Sequence, residues 1–421
     1  VSIGGYTARD GDEKHHLVYE SNTFYTRTLY HYKDGNKTKL SIPSNSSLRG
    51  IYKNNVFIEL KSDWQLDGQT YTQGSIVYTK FDDLIKNNFK LKTFVKPTAT
   101  ASVESFGITK SYIIINWLED VKNRLVRYNL DKNEVWQEHE FNFPKNGSIG
   151  AYNISTESDQ FFVSYADFLT PSGVNEVNAN SLEINLLKSK KPKFDTSKFK
   201  FEQFMAISAD GTKVPYFVVS QKSLVLNGKN PTLLYGYGGF EVNMNPYYSN
   251  SLGLNWLEQG GVYVLSNIRG GGEYGPKWHQ AALKENRQRA FEDFEAIAED
   301  LITKKITSSE HLGIQGGSNG GLLVGAAFTR RPDLYKAVIC QVPLLDMKRY
   351  NKLLAGASWM GEYGNPDIDK EWEYIKEYSP YHNLKKDINY PKVFFTSSTR
   401  DDRVHPAHAR KMVAKMENLG Y

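Results

Sequence analysis

A serine lies among glycines between a predicted strand and a predicted helix. Residues 316–321 read Gly-Gly-Ser-Asn-Gly-Gly, and the helix is predicted from Leu322 to Arg330. This is the G-x-S-x-G pattern of a nucleophile elbow, in which small neighbours let strand and helix approach and leave the serine hydroxyl clear of the sheet. The Asn319 backbone N–H would point to the same spot and could hold an oxyanion. A phosphate loop is the alternative, but no lysine follows at the position it requires, so we expect Ser318 to be a nucleophile.

An acidic pair follows a later predicted strand, where residues 397–404 read Ser-Ser-Thr-Arg-Asp-Asp-Arg-Val. A serine nucleophile on such an elbow needs an acid and a histidine, in the chain order Ser, Asp, His. Asp401 and Asp402 are candidates for the acid, and a solvated turn is the alternative. His405 and His408 follow too closely, on a helix predicted to begin at Pro406, so we expect the base to lie beyond Tyr421.

Two other glycine-rich segments follow predicted strands. Residues 235–240 read Tyr-Gly-Tyr-Gly-Gly-Phe, and the hydroxyl of Tyr237 could serve as a second oxyanion donor. Packing of the Tyr237 ring in the core is an equally open interpretation. Residues 267–275 read Asn-Ile-Arg-Gly-Gly-Gly-Glu-Tyr-Gly, and three successive glycines allow a close backbone approach, which favours a structural role.

The elements that would position these residues form an α/β pattern from about residue 200 onward. Apolar runs of four to eight residues alternate with long amphipathic stretches, which is typical of a parallel sheet with helices. A long helix is predicted between Trp278 and Lys304. Strands are predicted at 232–235, 262–265, 312–315, 337–339 and 393–395. Ligand chemistry gathers at the carboxyl ends of such strands, where the serine and the acidic pair both lie.

Residues 1 to about 190 have an all-β pattern. Short alternating runs rich in Tyr, Val, Ile, Thr and Phe are separated by Asp-Gly and Asn-Gly turns. Similar units recur at spacings of about 45–57 residues, the range for four-stranded propeller blades, and they begin near Leu29, Ser75, Arg124 and Leu182. About four blades fit, and a β-sandwich with accidental spacing is the alternative. We expect a partial β-propeller at 1–192 and a catalytic α/β domain at 193–421.

The composition excludes several classes of protein. Aromatic residues make up 13% of the 421 residues, which excludes disorder as the dominant state. No run of about 18 apolar residues is present, so no membrane partner is expected. The net charge of +5 is spread without a dense basic block, so no nucleic-acid partner is expected. The single cysteine, Cys340, excludes an internal disulfide framework, and its apolar surroundings predict a buried, inert thiol.

Taken together, the chain resembles the prolyl oligopeptidase family of serine peptidases. The segments at 237–240, 267–275, 316–321 and 401–404 occur in the family's order and at its approximate spacing. The likeness is strong over about 200–421 and weak over the β-rich half. It implies an α/β-hydrolase domain with a doubly wound sheet joined to a seven-bladed β-propeller, of which this chain would hold about four blades. It also implies a fragment that lacks both ends, including the catalytic histidine.

The resemblance implies a role for each matching side chain. Ser318 resembles the nucleophile and Asp401, the first of the acidic pair, resembles the triad acid. The Asn319 backbone and the Tyr237 hydroxyl resemble the oxyanion hole. The remaining matches imply a substrate pocket. Trp359 and Tyr363 would be its aromatic residues for a proline ring, and Phe240 and Val404 would be two other walls. Arg403 would hold a peptide carbonyl. No cofactor and no metal are implied.

The resulting hypothesis is a serine oligopeptidase that hydrolyses short peptides on the carboxyl side of proline through an acyl-enzyme. Its partners would be short proline-containing peptides, and the protein would be a monomer. The open alternatives are a related oligopeptidase selective for basic residues, an esterase on the same fold and a non-catalytic binding protein. Without a histidine base, the fragment is expected to be inactive.

Overall fold

The computed structural model describes residues 2–421 and contains two regions that pack against each other. The first consists of four four-stranded antiparallel sheets with a small hairpin, and the second is built on one seven-stranded mixed sheet. The predicted fold class, an all-β propeller region joined to an α/β-hydrolase sheet, is therefore confirmed. No helix within residues 2–421 is both long enough and apolar enough to cross a lipid bilayer.

Each four-stranded sheet forms one blade. Blade one contains β1 (Ser2–Asp10), β2 (Glu13–Ser21), β3 (Arg27–Lys33) and β4 (Asn36–Lys39). Blade two contains β5 (Ser47–Tyr52), β6 (Asn55–Glu59), β9 (Ile76–Lys80) and β10 (Lys92–Val95), with a hairpin of β7 (Trp64–Leu66) and β8 (Gln69–Tyr71) and a helix α1 (Phe81–Ile85) inserted between its strands. Blade three contains β11 (Ala101–Ile108), β12 (Ile113–Glu119), β13 (Lys122–Leu130) and β14 (Trp136–Glu140). Blade four contains β15 (Ser148–Tyr152), β16 (Gln160–Ala166), β17 (Gly173–Asn178) and β18 (Ile184–Ser189).

The blades stack face to face, which decides between a propeller and a sandwich. Side chains alternate across a strand, so each inner strand serves two cores. On β12, Ile113 and Ile115 pack in a core with Phe57 of blade two, whereas Ile114 packs with Val163 of blade four. A sandwich would have a single core between two sheets, whereas here one blade contributes to a separate core on each side.

The recurrent units found in the sequence mark the same strand in three of the four blades. The units near residues 29, 75 and 124 fall on β3, β9 and β13, each the third strand of its blade. The unit at 182 instead leads into β18, the fourth strand, so this part of the repeat assignment was wrong. The error arose because the third strand of blade four, β17, is followed by a turn without the Asp-Gly or Asp-Lys-Asn signature.

The α/β region follows a connection through residues 190–198. Its sheet contains β19 (Phe199–Ile207), β20 (Lys213–Gln221), β21 (Thr232–Tyr235), β22 (Val262–Ser266), β23 (Leu312–Gly317), β24 (Ala337–Gln341) and β25 (Lys392–Thr396), in the spatial order β19-β20-β22-β21-β23-β24-β25. From β22 to β25 the strands are parallel, and β19 and β20 add an antiparallel edge that the sequence analysis did not predict.

Both faces of this sheet are buried, because residues alternate along its strands. On β22, Val262 and Val264 pack in the core with the helices, whereas Tyr263 and Leu265 pack on the opposite face. That second core also takes in Phe168 of the propeller region. The helices are α2 (Asn250–Leu252), α3 (Pro276–Gln280), α4 (Gln288–Thr303), α5 (Asn319–Arg330), α6 (Met360–Tyr363), α7 (Asp369–Tyr378), α8 (Pro380–Asn383) and α9 (Ala407–Leu419).

The single long helix predicted between Trp278 and Lys304 was wrong. The chain forms α3, then a short 3₁₀ turn, then α4, because Leu283 is extended and Lys284 has a φ of +48°. The apolar residues at helical spacing that predicted this helix are nevertheless buried on α4: Ala290, Phe291, Phe294, Ala298 and Leu301. The break turns the chain so that Arg287, just before α4, points its guanidinium inward and is 0% exposed.

Candidate active site

Ser318 lies on a sharp turn between β23 and α5, which we call the elbow (residues 316–319). Its φ is +58° and its ψ is −117°, a backbone conformation that residues other than glycine rarely adopt. The Ser318 N–H donates to the carbonyl oxygen of Gln341 on the neighbouring strand at 2.9 Å. The strand, the strained turn and the helix are the geometry that a nucleophile elbow requires.

Two glycines allow this turn to be so tight. A Cβ on Gly320 would lie 2.5 Å from the carbonyl oxygen of Gly236, in the loop after β21. A Cβ on Gly316 would collide with the carbonyl oxygen of Gly320. Gly317, by contrast, has room, since its nearest neighbours would be 3.7 Å away. The spacing of glycines in the motif therefore follows from backbone contacts between α5 and the loop after β21.

Two polar groups of the elbow have no hydrogen-bond partner within residues 2–421. One is the hydroxyl of the Ser318 side chain, which is half-buried. The Asn319 N–H at the start of α5 also has no acceptor in this part of the chain. A free N–H at a helix N-terminus is suited to an anion, so the elbow can stabilise negative charge that develops next to Ser318.

Tyr237 lies beside the elbow, in the loop after β21. Its main-chain carbonyl accepts a 2.6 Å hydrogen bond from the Asn319 side-chain amide, which ties the two segments together. Burial, together with the charge of Glu362, raises the pKa of Tyr237, so its phenol stays protonated at neutral pH. The phenol has no partner among the described residues and is half-buried, so it is available as a donor.

Asn319 is fully buried, and its side chain fixes the elbow. Its Oδ1 accepts hydrogen bonds from Arg287 Nη2 at 2.6 Å and from the Tyr363 hydroxyl at 2.7 Å. Arg287 was not identified from the sequence, because it is separated by 32 residues from Asn319 and has no motif of its own. The side chain of Asn319 thus has a structural role beside the role expected of its backbone.

A buried ion pair between Arg287 and Glu362 holds Arg287 in place beside Asn319. Glu362 is 0% exposed and accepts from Arg287 Nη1 at 2.9 Å, from His279 Nε2 at 2.8 Å and from the Phe240 backbone N–H at 3.0 Å. Although burial opposes ionisation, the hydrogen bond from His279 and the charge of Arg287 hold the pKa of Glu362 below its ordinary value. The signal that was missed is a single carboxylate within the aromatic segment at 357–364.

The acidic pair lies on an exposed segment after β25, which we call the acid loop (residues 397–405). Asp401 Oδ1 accepts the backbone N–H groups of Arg403 at 3.0 Å and Val404 at 2.9 Å, which orients the carboxylate. Asp402 is exposed and makes no side-chain hydrogen bond within residues 2–421. The loop therefore holds one carboxylate of the pair, and that carboxylate belongs to Asp401.

The residues expected to form a substrate pocket differ in their access to solvent. Trp359 and Phe240 are half-buried, and Arg403 is exposed with no side-chain partner among the described residues. Tyr363 is 0% and Val404 is 4% exposed, so neither side chain is open to solvent. Both are enclosed by packing: the Tyr363 ring lies edge-on to Phe240 at 5.7 Å, and its hydroxyl is used by the elbow.

Several of these residues are brought to one place. The Ala355 N–H donates to the Arg403 carbonyl oxygen at 3.3 Å. This hydrogen bond joins the acid loop to the short helical segment that carries Trp359. The Tyr363 hydroxyl, which donates to Asn319 Oδ1, and the Phe240 ring beside Tyr363 join two other aromatic candidates to the elbow.

No histidine within residues 2–421 is hydrogen-bonded to Ser318 or Asp401. His408 is buried on α9, where its Nδ1 accepts the N–H groups of Leu345 and Asp346. His405 precedes α9, which begins at Ala407, so its expected position on the helix was wrong by two residues. Nor do any three His, Cys, Asp or Glu side chains in this part of the chain form a group that could hold a metal ion.

Two expectations of a purely structural role agree with the geometry. In the 267–275 segment, the 3% exposed Arg269 pairs with Asp293 at 2.6 Å and with Asp210 at 2.5 Å, next to Gly270 with a φ of +94°. Cys340 is 0% exposed, and burial raises the pKa of its thiol well above the ordinary value. An un-ionised, enclosed thiol is unreactive.

Two sequence models of one peptidase family match most of the chain. The model of the prolyl oligopeptidase family matches residues 248–421, and that of the prolyl oligopeptidase N-terminal beta-propeller domain matches residues 8–190. The first match covers the α/β region from just before α2 onward, and the second covers most of the four blades.

Similar proteins carry related descriptions. An uncharacterised peptidase of Sinorhizobium fredii is 42% identical over 100% of this chain and 59% of its own length. The prolyl endopeptidase of Elizabethkingia miricola is 39% identical over 73% of this chain and 43% of its own length. A solved structure of a post-proline cleaving enzyme from Rickettsia typhi superposes with a TM-score of 0.93 at 37% identity, over 100% of this chain and 62% of that one. The chain thus spans about half to three-fifths of the length of these relatives.

Proposed function

Because this chain belongs to the prolyl oligopeptidase family of serine peptidases, we propose that the whole protein hydrolyses peptides on the carboxyl side of proline. The observation that carries the proposal is Ser318 at a φ of +58° on the elbow, beside the free Asn319 N–H. Acyl transfer needs a nucleophile and an oxyanion site in this relation. The names of the relatives, a prolyl endopeptidase and a post-proline cleaving enzyme, support the choice of proline.

Each residue has a proposed role in the reaction. Ser318 Oγ attacks the carbonyl carbon of the proline residue, and the Asn319 N–H and the Tyr237 hydroxyl donate to the oxyanion. The peptide bond after proline then breaks, the histidine base gives the Ser318 proton to the leaving amine, and water hydrolyses the acyl-enzyme. Asp401 orients the histidine base that takes the Ser318 proton. Arg403 binds a peptide carbonyl, and Trp359 stacks on the proline ring, with Phe240 beside it.

Selectivity for basic residues is the main rival, and one observation argues against it. A pocket for Arg or Lys needs an accessible carboxylate, and Glu362 is the carboxylate within the aromatic segment. It is 0% exposed and already paired with Arg287 and His279. Its charge is therefore not available to a substrate.

The proposal is tested with matched fluorogenic peptides that differ only in proline or arginine before the cleaved bond. We expect the whole protein to hydrolyse the proline peptide at least a hundredfold faster, and Ser318→Ala to abolish turnover while leaving the melting temperature unchanged. A faster arginine peptide would establish the rival selectivity. Turnover of a proline ester without turnover of the amide would identify an esterase.

We further propose that residues 1–421 alone are inactive. The histidines nearest to Asp401 in sequence are occupied elsewhere, His408 by two backbone N–H groups and His405 by the N–H of Ala407. Without a base, the Ser318 hydroxyl does not attack an amide at neutral pH. We expect no labelling of Ser318 by a fluorophosphonate in the 421-residue chain, and stoichiometric labelling would refute this.

A further inference from the structure

One loop of the propeller contacts the buried Glu362, whose ion pair with Arg287 supports the elbow. Residues 22–26 connect β2 and β3 and form a tight turn in which the Asn22 N–H donates to the Thr26 carbonyl oxygen at 2.9 Å. The hydroxyls of Thr23 and Thr26 are also hydrogen-bonded, at 2.7 Å. This self-bonded turn presents Phe24 and Tyr25 to the α/β region.

Tyr25 inserts its ring beside α6. Its hydroxyl donates to Glu362 Oε2, the oxygen that also accepts from His279. The ring lies against Gly361, where a Cβ would be 3.0 Å from Tyr25 Cδ2 and would press on the ring. Next to it, Phe24 packs edge-on against Phe240 at 5.7 Å. Among residues 2–421, Tyr25 is the one propeller residue that bonds to Glu362.

A continuous series of hydrogen bonds runs from Tyr25 to the elbow. Tyr25 bonds to Glu362, Glu362 pairs with Arg287 at 2.9 Å, and Arg287 bonds to Asn319 Oδ1 at 2.6 Å. Arg287 and the Tyr363 hydroxyl both donate to Asn319 Oδ1, so this oxygen is the acceptor that holds the Asn319 side chain. We infer that Tyr25 is a positioning residue for the reaction, because it completes the bonding of Glu362 when the propeller is docked and so fixes the oxyanion site.

The physical reason is the cost of leaving a buried carboxylate partly unpaired. Glu362 has four donors in the docked arrangement: Tyr25, His279, Arg287 and the Phe240 backbone N–H. In a buried network, each bond polarises the next, and the loss of one donor loosens the remaining ones. Because Glu362 Oε1 holds both Arg287 and Phe240, a shift of this carboxylate reaches Asn319 and the loop of Tyr237 together.

This inference rests on the proposed function, since it treats the Asn319 N–H as an oxyanion donor. A first readout is therefore independent of turnover: the hydrogen-exchange rate of the Phe240 amide, whose acceptor is Glu362. The test variant is Tyr25→Phe, which removes one hydroxyl. The matched control is Tyr274→Phe, because the Tyr274 hydroxyl also bonds across the interface, to Asp120 at 3.3 Å, but has no bond to Glu362.

In the whole protein, we expect Tyr25→Phe to speed exchange of the Phe240 amide about fivefold and to lower kcat for a proline peptide about tenfold with KM within twofold. Tyr274→Phe should change each value less than twofold. Equal exchange and equal kcat in the two variants would overturn the inference. If the unchanged protein cleaves no proline peptide but Tyr25→Phe still speeds exchange of the Phe240 amide, the hydrogen-bond network is supported and the proposed function is refuted. If Tyr25→Phe loses stability, Glu362→Gln, which keeps the shape but removes the charge, should still accelerate Phe240 exchange.

Discussion

The elbow and the acid loop end neighbouring parts of one sheet, but they are held in different ways. The elbow follows β23, with strands on both sides, and Asn319 is 0% exposed and bonded through three side-chain contacts. The acid loop follows β25, the last strand of the sheet within residues 2–421, and residues 397–400 are all exposed. Asp401 is held there by two backbone N–H groups of its own loop.

This difference separates two ways of placing a catalytic group. A nucleophile directly after a central strand is held rigidly, because packed side chains and backbone carbonyls surround it and leave it no other position. A carboxylate on an edge loop is oriented by a local turn, which can form and open without disturbing the core. We therefore expect a methyl group added at the tightly packed glycines of the elbow motif to lower stability, and changes in the acid loop to affect the reaction more than stability.

The largest expected effect comes from the acid loop. In the whole protein, Asp401→Asn should lower kcat for a proline peptide by roughly 10³–10⁴, because the base would be held in the wrong tautomer. The matched variant Asp402→Asn should lower kcat less than tenfold, since Asp402 is exposed and unpaired among the described residues. Steady-state kinetics on both variants checks this, and the reverse ranking would assign the acid to Asp402.

The buried His408 on α9, the helix after the acid loop, should make stability depend on pH. Burial lowers the pKa of His408 to about 4, against the opposing charge of Asp346. The unfolded chain binds this proton more readily, with a pKa of about 6.5, so the contribution to stability is complete above pH 6.5. It is lost as the pH falls from 6.5 to about 4, at a cost of about 3 kcal/mol.

His408→Asn keeps an acceptor for the two N–H groups and removes the titration. We expect its free energy of unfolding, measured by urea denaturation at pH 7 and pH 4.5, to fall less with pH than that of the unchanged protein. His311→Asn is the control, because His311 is exposed and bonds to Ser308 at the surface. An identical pH dependence in His408→Asn and the unchanged protein would show that another group controls acid unfolding.

At the glycines in and directly after the elbow, the expected effect is on stability. Gly320→Ala should lower the free energy of unfolding by about 1–3 kcal/mol, because the new Cβ would overlap the Gly236 carbonyl oxygen, which is backbone and has little freedom to move. Gly317→Ala introduces the same methyl group where the nearest atom is 3.7 Å away, and it should change stability by less than about 0.5 kcal/mol. Similar losses in both variants, measured by chemical denaturation, would mean that the elbow is less tightly packed than we describe.

The smallest expected effect concerns the aromatic residue joined to the acid loop. Trp359→Ala should lower kcat/KM for a proline peptide about tenfold, through loss of a stacked ring. The same variant should change kcat/KM for a matched peptide with alanine in place of proline less than threefold. Tyr363→Phe provides the contrast, because this buried ring supports Asn319 and its loss of a hydroxyl should affect both peptides alike. If Trp359→Ala lowers kcat/KM equally for both peptides, Trp359 does not stack on the proline ring.

The sequence predicted the elements of the site better than their surroundings. The strand, turn and helix around Ser318 follow from local spacing, since glycines at fixed offsets leave few backbone solutions. The burial of Tyr363 and Val404 was not predicted, because a resemblance identifies a position and not its exposure. The break before α4 was also missed, since residues 284–289 contain no glycine or proline that would mark it.

The sequence by itself determined the two-part architecture, the elbow and the candidate nucleophile and acid, since each depends on local periodicity or on a short motif. Only the tertiary structure decided which groups support them. His279, Arg287 and Glu362 are 83 residues apart at most, and Tyr25 lies 337 residues from Glu362, yet they converge on one carboxylate. A buried charge has to find its partners wherever folding brings them, and those partners leave no periodic trace in the chain.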